Sequence, residues 1–234
     1  MIIPLDANMD NIAHYIDQTI LKPEANREEI EKFIEEVIQY DFYAAVVNPC
    51  WLELIHKELP ANIKRCSVVG FPLGASSTKV KVKAVEDLIL KGCDEIDMVM
   101  NIGYFKSRDY KNVSADITAV VESAQGHVVK VIIETCLLSD AEKKDAAKLI
   151  IESGAHFVKT STGFNKEGAL VRDVKLLRDA VGHDFGVKAS GGIRDYDTGI
   201  TMINAGANRI GTSAGVSIVK CMKKRGLTDN SYKK

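Results

Sequence analysis

Nowhere in this chain do 18 apolar residues run together, and its first ten residues, MIIPLDANMD, lack a basic start followed by an apolar stretch. A spanning helix and a secretion signal are therefore not expected. No Pro/Gly/Ser-rich stretch interrupts the sequence as a linker would. Charge of one sign is not in excess either, with 31 basic against 32 acidic residues and a net charge of −1. No global field would draw the protein to nucleic acid or an anionic membrane, so any anion site has to be local. Cys50, Cys66, Cys93, Cys136 and Cys221 are scattered and form no C-x-x-C pair. That argues against a disulfide framework or a zinc site and for reduced thiols in the cytoplasm. His14, His56, His127, His156 and His183 show neither H-x-H nor H-E-x-x-H spacing, which gives a metal-dependent aldolase or hydrolase little support.

The chain does have enough apolar residues, 46% of 234, to build one substantial core. Short apolar runs at 44–47, 67–71, 95–100, 128–134, 156–159, 185–189 and 208–211 alternate with longer amphipathic segments, and a further short strand is expected near Ile16. A capping box, Ser139 with Glu142, and Gly154 mark a helix from about 140 to 152. The segment from Ser77 to Lys91 opens on the strand-like VKVK, yet Ala84, Val85, Leu88 and Ile89 follow at helical spacing, so it reads as helix. Segments 28–39, 108–124, 167–180, 195–205 and 213–223 supply the other helices. Eight strand–helix units in one domain over 1–234, with a flexible tail from about 225, predict an α/β fold, a single (β/α)8 TIM barrel. A doubly wound open sheet would show a glycine fingerprint after the first strand, and IDQTILKP has none.

Alternation along the strands separates inward from outward side chains. It sends Ile96, Met98, Val129, Val131, Ile133, Val158, Phe185, Val187 and Ala189 outward and leaves Asp97, Lys130, Ile132, Glu134, Lys159 and Lys188 inside. Charges in a barrel interior are costly unless paired, which points to a working site. Lys159 in HFVKTSTG and Lys188 in GVKASGG stand 29 positions apart, about one strand–helix unit, and should face one cavity from neighbouring strands. Two adjacent ammoniums lower each other's pKa from about 10.4 and leave some free amine, the form that attacks a carbonyl to give a Schiff base. Asp97 reads either as an ion-pair partner of Lys130 or Lys188 or as a proton relay, and the roles are compatible. The glycine-rich SGGIR (190–194) and IGTSAG (210–215) follow the last two strands, where backbone N–H groups can cradle a phosphate and Arg194 or Ser213 can add direct bonds. The STG at 161–163 fits a helix entry as well as a phosphate contact.

The strings IDQTILKP, VVGFPLGA, EIDMVMNIG, KVIIET, FVKTSTGF, VKASGGIR and RIGTSAG, in order over residues 16–215, resemble the deoxyribose-phosphate aldolases, class I Schiff-base enzymes. The resemblance implies a (β/α)8 barrel and reversible cleavage of 2-deoxy-D-ribose 5-phosphate to D-glyceraldehyde 3-phosphate and acetaldehyde, without metal or organic cofactor. It implies Lys159 as the Schiff-base lysine, Lys188 as the lysine that lowers its pKa, and Asp97 as the proton-transfer group. Asp17 and Thr19 match positions near the substrate hydroxyls. Gly163, Gly191, Gly192, Arg194, Gly211 and Ser213 match the phosphate end. The partner so implied is a sugar phosphate. The near-zero net charge and lack of long apolar runs predict no nucleic acid and no membrane. A homo-oligomer, dimer or tetramer, is expected because such assemblies are common, although barrel and surface are equally compatible with a monomer.

Two positions depart from some relatives, and one in the tail matches others. Val46 stands where several carry a cysteine in the second strand, so inactivation through that thiol is expected to be weak or absent; Cys50 lies beyond the proline. Phe164 replaces a lysine after STG, which is expected to loosen the hold on phosphate. Tyr232 lies in the tail, where some members place a tyrosine, and is assigned no catalytic role. Two alternatives remain open on the residues alone: an aldolase or transaldolase for another phosphorylated sugar, and a non-catalytic barrel that binds a sugar phosphate.

Overall fold

Strands with one polar and one apolar face can bury both only if the sheet closes and helices cover its outside. That is what the computed structural model shows for residues 11–225, the part of the chain it describes. Strands β1 (Ile16–Ile20), β2 (Ala44–Val47), β3 (Lys64–Val69), β4 (Glu95–Val99), β5 (Val128–Ile132), β6 (Phe157–Lys159), β7 (Gly186–Ser190) and β8 (Arg209–Thr212) pair in sequence order. All the pairings are parallel, and β8 returns to β1 to close the barrel. The helices are α1 (Arg27–Gln39), α2 (Leu52–Glu58), α3 (Thr78–Leu90), α4 (Ile102–Lys106), α5 (Tyr110–Ser123), α6 (Asp140–Glu152), α7 (Val171–Val181), α8 (Tyr196–Asn204) and α9 (Gly215–Lys224). The tail beyond 225, with Tyr232, lies outside the described residues.

Most elements fall where the pattern put them. The α6 capping box forms as expected: the Ser139 N–H donates to Glu142 Oε2 at 2.7 Å and the Glu142 N–H to Ser139 Oγ at 3.3 Å. Gly154 then turns the chain at φ +81°. The short helices α2 and α4 were not expected, being too brief to show a period. The strand expected at 128–134 ends at Ile132, because Glu134 adopts a left-handed conformation at φ 52°. Helix α7 starts at Val171 rather than 167, since the preceding segment is held against the β7 loop, Ala169 N–H donating to the Gly191 carbonyl at 3.0 Å.

The outward parity holds. Ile96, Met98, Val129, Val131, Val158, Val187 and Ala189 are fully buried in the main core, which lies between barrel and helices. The ambiguous VKVK is helix, and its alternation has a cause. Lys81 turns in toward α5, donating to Asp116 Oδ2 at 2.5 Å and to the Val99 carbonyl at 3.0 Å, with no exposed surface. Removing one partner of such a buried pair leaves a bare charge. Asp116→Ala should therefore cost about 3–5 kcal/mol in chemical denaturation, and Lys81→Met added to Asp116→Leu should recover most of it. An equal loss in the double variant would show that packing, not charge, governs this contact.

Candidate active site

The site grows out of register. Parallel pairing sets Lys159 beside Lys188, Asp97 beside Lys130, Lys188 beside Arg209 and Asp17 beside Gly211. Inward side chains from β1, β4, β5, β6, β7 and β8 thus converge on the barrel axis. Asp97 is at their centre. Its Oδ1 accepts from Lys130 Nζ at 2.8 Å, and its Oδ2 accepts from Lys159 Nζ at 2.6 Å and Lys188 Nζ at 2.8 Å. Asp17, fully buried, accepts from Lys188 at 2.5 Å and from Arg209 at 3.1 Å. Lys130 also pairs with Glu95 at 2.7 Å, and the Arg209 guanidinium lies 3.3 Å from the centre of the Tyr43 ring. Cys66 Sγ donates to Asp97 Oδ1 at 3.4 Å. Burial first, then Asp97, keeps that thiol well above its ordinary pKa, hence neutral.

This interior holds three carboxylates (Asp17, Glu95, Asp97) and four basic side chains (Lys130, Lys159, Lys188, Arg209). The charges balance if one base gives up its proton. Burial pushes all of them down, but in Lys130, Lys188 and Arg209 facing carboxylates outweigh it and the pKa rises. Lys159 alone of the four is lowered: burial leads, Lys188 adds to it, and Asp97 only partly opposes. Repulsion between two ammoniums, expected as the whole cause, is thus secondary to desolvation. Lys188 is not itself a softened amine. It is a locked ammonium.

Above this layer opens a cavity of about 530 Å³, and Lys159, 4% exposed, reaches its floor. Thr19 from β1 and Gly163 from the loop after β6 line it. So do Gly191, Gly192 and Arg194 from the β7 loop, and Gly211 and Ser213 from β8 and its loop. Asp17, Asp97 and Lys188 do not line the cavity; they lie beneath it, fully buried. The β6 and β7 loops are cross-braced. Thr160 Oγ1 donates to the Ser190 carbonyl at 3.1 Å, and Ser190 Oγ to the Ser161 carbonyl at 2.6 Å. Gly191, at φ +89°, and Gly168 pack backbone on backbone: a Cβ on Gly168 would fall 2.1 Å from the Gly191 carbonyl. Gly211 makes room for the locked lysine, since a Cβ there would meet Lys188 Cε at 3.1 Å. The STG segment is no helix entry, for α7 begins only at Val171. Phe164 lines the cavity and meets Phe71 edge-on at 5.2 Å, and Val46 is fully buried.

A family model described as DeoC/LacD family aldolase matches residues 11–221. The chain belongs to this family. It is 55% identical over 207 residues to a deoxyribose-phosphate aldolase of Streptococcus sanguinis, covering 88% of this chain and 94% of that one. It is 52% identical to that of Caldanaerobacter subterraneus, covering 95% and 98%. Among solved structures, the aldolase QR15 superposes with a TM-score of 0.89 at 42% identity over 92% of this chain and 97% of that one. A tetrameric deoxyribose phosphate aldolase from Aeropyrum pernix gives 0.84 at 32% identity, covering 93% of each.

Two residues of this DeoC/LacD member to which the sequence alone assigned no site role are Glu95 and Arg209. Glu95 shares the inward parity of Asp97, so the signal for it existed, whereas Arg209 sits in a run too short to establish parity. Glu134, expected inside, is buried near Lys159, and its left-handed backbone turns the carboxylate to the β6 loop. There it accepts from Thr162 Oγ1 at 2.5 Å and the Thr162 N–H at 3.3 Å.

The charged layer makes a pH prediction. Burial pushes the Asp17 carboxyl up, but Lys188, Arg209 and Lys130 outweigh it and hold it at about 2, against an ordinary 3.8. A depressed carboxylate stabilises the fold above the unfolded pKa, and that stability is lost as pH falls through the folded one. Between about pH 4 and 2 the wild type should lose roughly 2 kcal/mol more than Asp17→Asn, the variant being the less stable protein at neutral pH. Parallel acid limbs in urea titrations would contradict this.

Proposed function

We propose that this family member works through Lys159 as its nucleophile, on a substrate whose phosphate end the β7 and β8 loops receive. The reaction is that of a deoxyribose-phosphate aldolase: reversible cleavage of 2-deoxy-D-ribose 5-phosphate to D-glyceraldehyde 3-phosphate and acetaldehyde. One observation carries the residue assignment: Lys159 is the one base of the interior with a lowered pKa, and it is also the one that reaches the cavity.

As a neutral amine, Lys159 attacks C1 of the open-chain sugar, and loss of water from the carbinolamine leaves an iminium ion. Loss of the C3 hydroxyl proton then breaks the C2–C3 bond, its electrons moving into the iminium to give an enamine. C3 leaves as the aldehyde carbon of glyceraldehyde 3-phosphate. Protonation of the enamine at C2 regenerates the iminium, and water hydrolyses it to acetaldehyde and free Lys159. Asp97, in contact with both lysines, together with Lys188 and water moves these protons. Burial opposes ionisation of Asp97, but three lysines overcome it and hold the carboxyl well below its usual range. At rest it is therefore an acceptor and counterion, and Lys188 is the proton donor of the pair. Phosphate binding at Gly163, Gly191, Gly192, Arg194, Gly211 and Ser213, with Thr19 nearer the hydroxyls, fixes the register of the sugar over Lys159. Asp17 acts at one remove by keeping Lys188 charged.

Among the described residues no helix is long and apolar enough to cross a membrane, and we place the reaction in the cytoplasm with the chain in a homo-oligomer, as in the tetrameric relative. Borohydride reduction in the presence of deoxyribose 5-phosphate should fix the two-carbon donor fragment on Lys159, readable by peptide mass. Lys159→Leu should lose turnover entirely while inorganic phosphate still binds. Lys188→Met, which removes the cation but keeps the bulk, should slow the reaction by about 100-fold or more and shift its pH profile. An active Lys159→Leu enzyme would end the assignment.

A further inference from the structure

The cavity has a second kind of wall. Beside the glycine loops stand charged side chains of the β1–α1 region, Lys22, Glu29, Lys32 and Glu36. Lys22 Nζ donates to Glu29 Oε1 in a close ion pair, and the same glutamate uses Oε2 to accept the Asn26 N–H at 3.1 Å in the capping box of α1. One carboxylate thus starts the helix and holds the lysine.

Lys22 is anchored at its base and held at its tip by an exposed ion pair. The Ala25 N–H closes a turn on the Lys22 carbonyl at 3.2 Å, and Asn48 Nδ2 donates to the Leu21 carbonyl at 3.1 Å. The side chains of Lys22 and Glu29 are 43% and 38% exposed, and a pair so open to water is held weakly. Lys22 follows β1 by two residues, and β1 adjoins β8, whose loop carries Ser213 into the same cavity. Gln18 Nε2 reaches the Ser213 carbonyl at 3.5 Å, so the two segments are direct neighbours. On the β6 side, the residue after Gly163 is Phe164, which brings no charge.

From this we infer that Lys22 is a substrate-specificity residue: it leaves Glu29 for the phosphate of the bound sugar and supplies, from the segment after β1, a cation in addition to Arg194. The inference rests on the reading of the cavity as a sugar-phosphate site. Parked on Glu29, the lysine adds no net charge to the empty cavity. When a dianion enters, the exchange replaces a weak solvated pair with a charge-assisted bond inside the cavity.

The test compares deoxyribose 5-phosphate with 2-deoxyribose. Lys22→Met keeps the length of the side chain and removes its charge. It should lower kcat/KM for the phosphate ester by ~10- to 100-fold, mostly through KM, with a much smaller change for the unphosphorylated sugar. Glu29→Gln keeps a capping residue at the third helical position and frees Lys22, so inorganic phosphate should inhibit at severalfold lower concentration. That gain should vanish when Lys22→Met is added. Equal losses on both sugars, or a Glu29→Gln effect that persists without Lys22, would overturn the inference. Borohydride trapping of the wild type on Lys159 with deoxyribose 5-phosphate separates the two readings. If no adduct forms, the aldolase assignment fails; if it forms and the substrate ratio does not move in Lys22→Met, only the role of Lys22 fails.

Discussion

A single carboxylate, Asp97, touches three lysines inside a sealed barrel, and most of the chemistry follows from that contact. Ions in such a place cost several kcal/mol each unless they are paired, so the interior tolerates little imbalance. Four bases and three carboxylates leave one proton too many. The lysine best able to shed it is the one with the fewest ion pairs among the described residues: Lys130 pairs with Asp97, Glu95 and, at 3.9 Å, Asp17, Lys188 with Asp97 and Asp17, and Lys159 with Asp97 alone. The proposed nucleophile is the base with the fewest carboxylate neighbours.

Parallel register is what permits such counting. Because β6 and β7 align Lys159 with Lys188, and β4 and β5 align Asp97 with Lys130, each charge is delivered by backbone geometry rather than by a mobile loop. The outward faces of the same strands, Ile96, Met98, Val129 and Val158 among them, are locked in the core against the helices. A register slip of one residue would turn those apolar chains into the barrel and the charges into the core. The hydrophobic core and the site therefore enforce one another.

Much of this was legible from residues. Period-2 alternation placed Asp97, Lys130, Lys159 and Lys188 inside, and the capping box at Ser139 fixed the start of α6. Alternation says which face a side chain takes, but not how the charges there are apportioned. The partition between a locked Lys188 and a softened Lys159 depends on Asp17, from a strand 171 positions away. Long-range closure of β8 onto β1 decides it, and no local pattern carries that. At Glu134 alternation missed the backbone and not the burial: it assumes extended chain, whereas this buried residue is left-handed. The capping box of α1 was present in the sequence as Asn26 and Glu29, three apart, but its second use against Lys22 needs the fold.

The same constraint governs how the cavity can hold a dianion. A fixed anion near Lys159 would stabilise its protonated form, and a fixed cation would tighten product as well as substrate. The cavity-lining residues of the β7 and β8 loops include no carboxylate, which avoids the first difficulty, and they meet the dianion with N–H dipoles and the Arg194 side chain. A lysine parked on its own carboxylate avoids the second, because Lys22 with Glu29 is neutral as seen from the floor until a phosphate arrives. On this view the departure at Phe164 is compatible with phosphate recognition. It moves the mobile charge to the strand next to β8, where it can neutralise the substrate without disturbing the balance beneath.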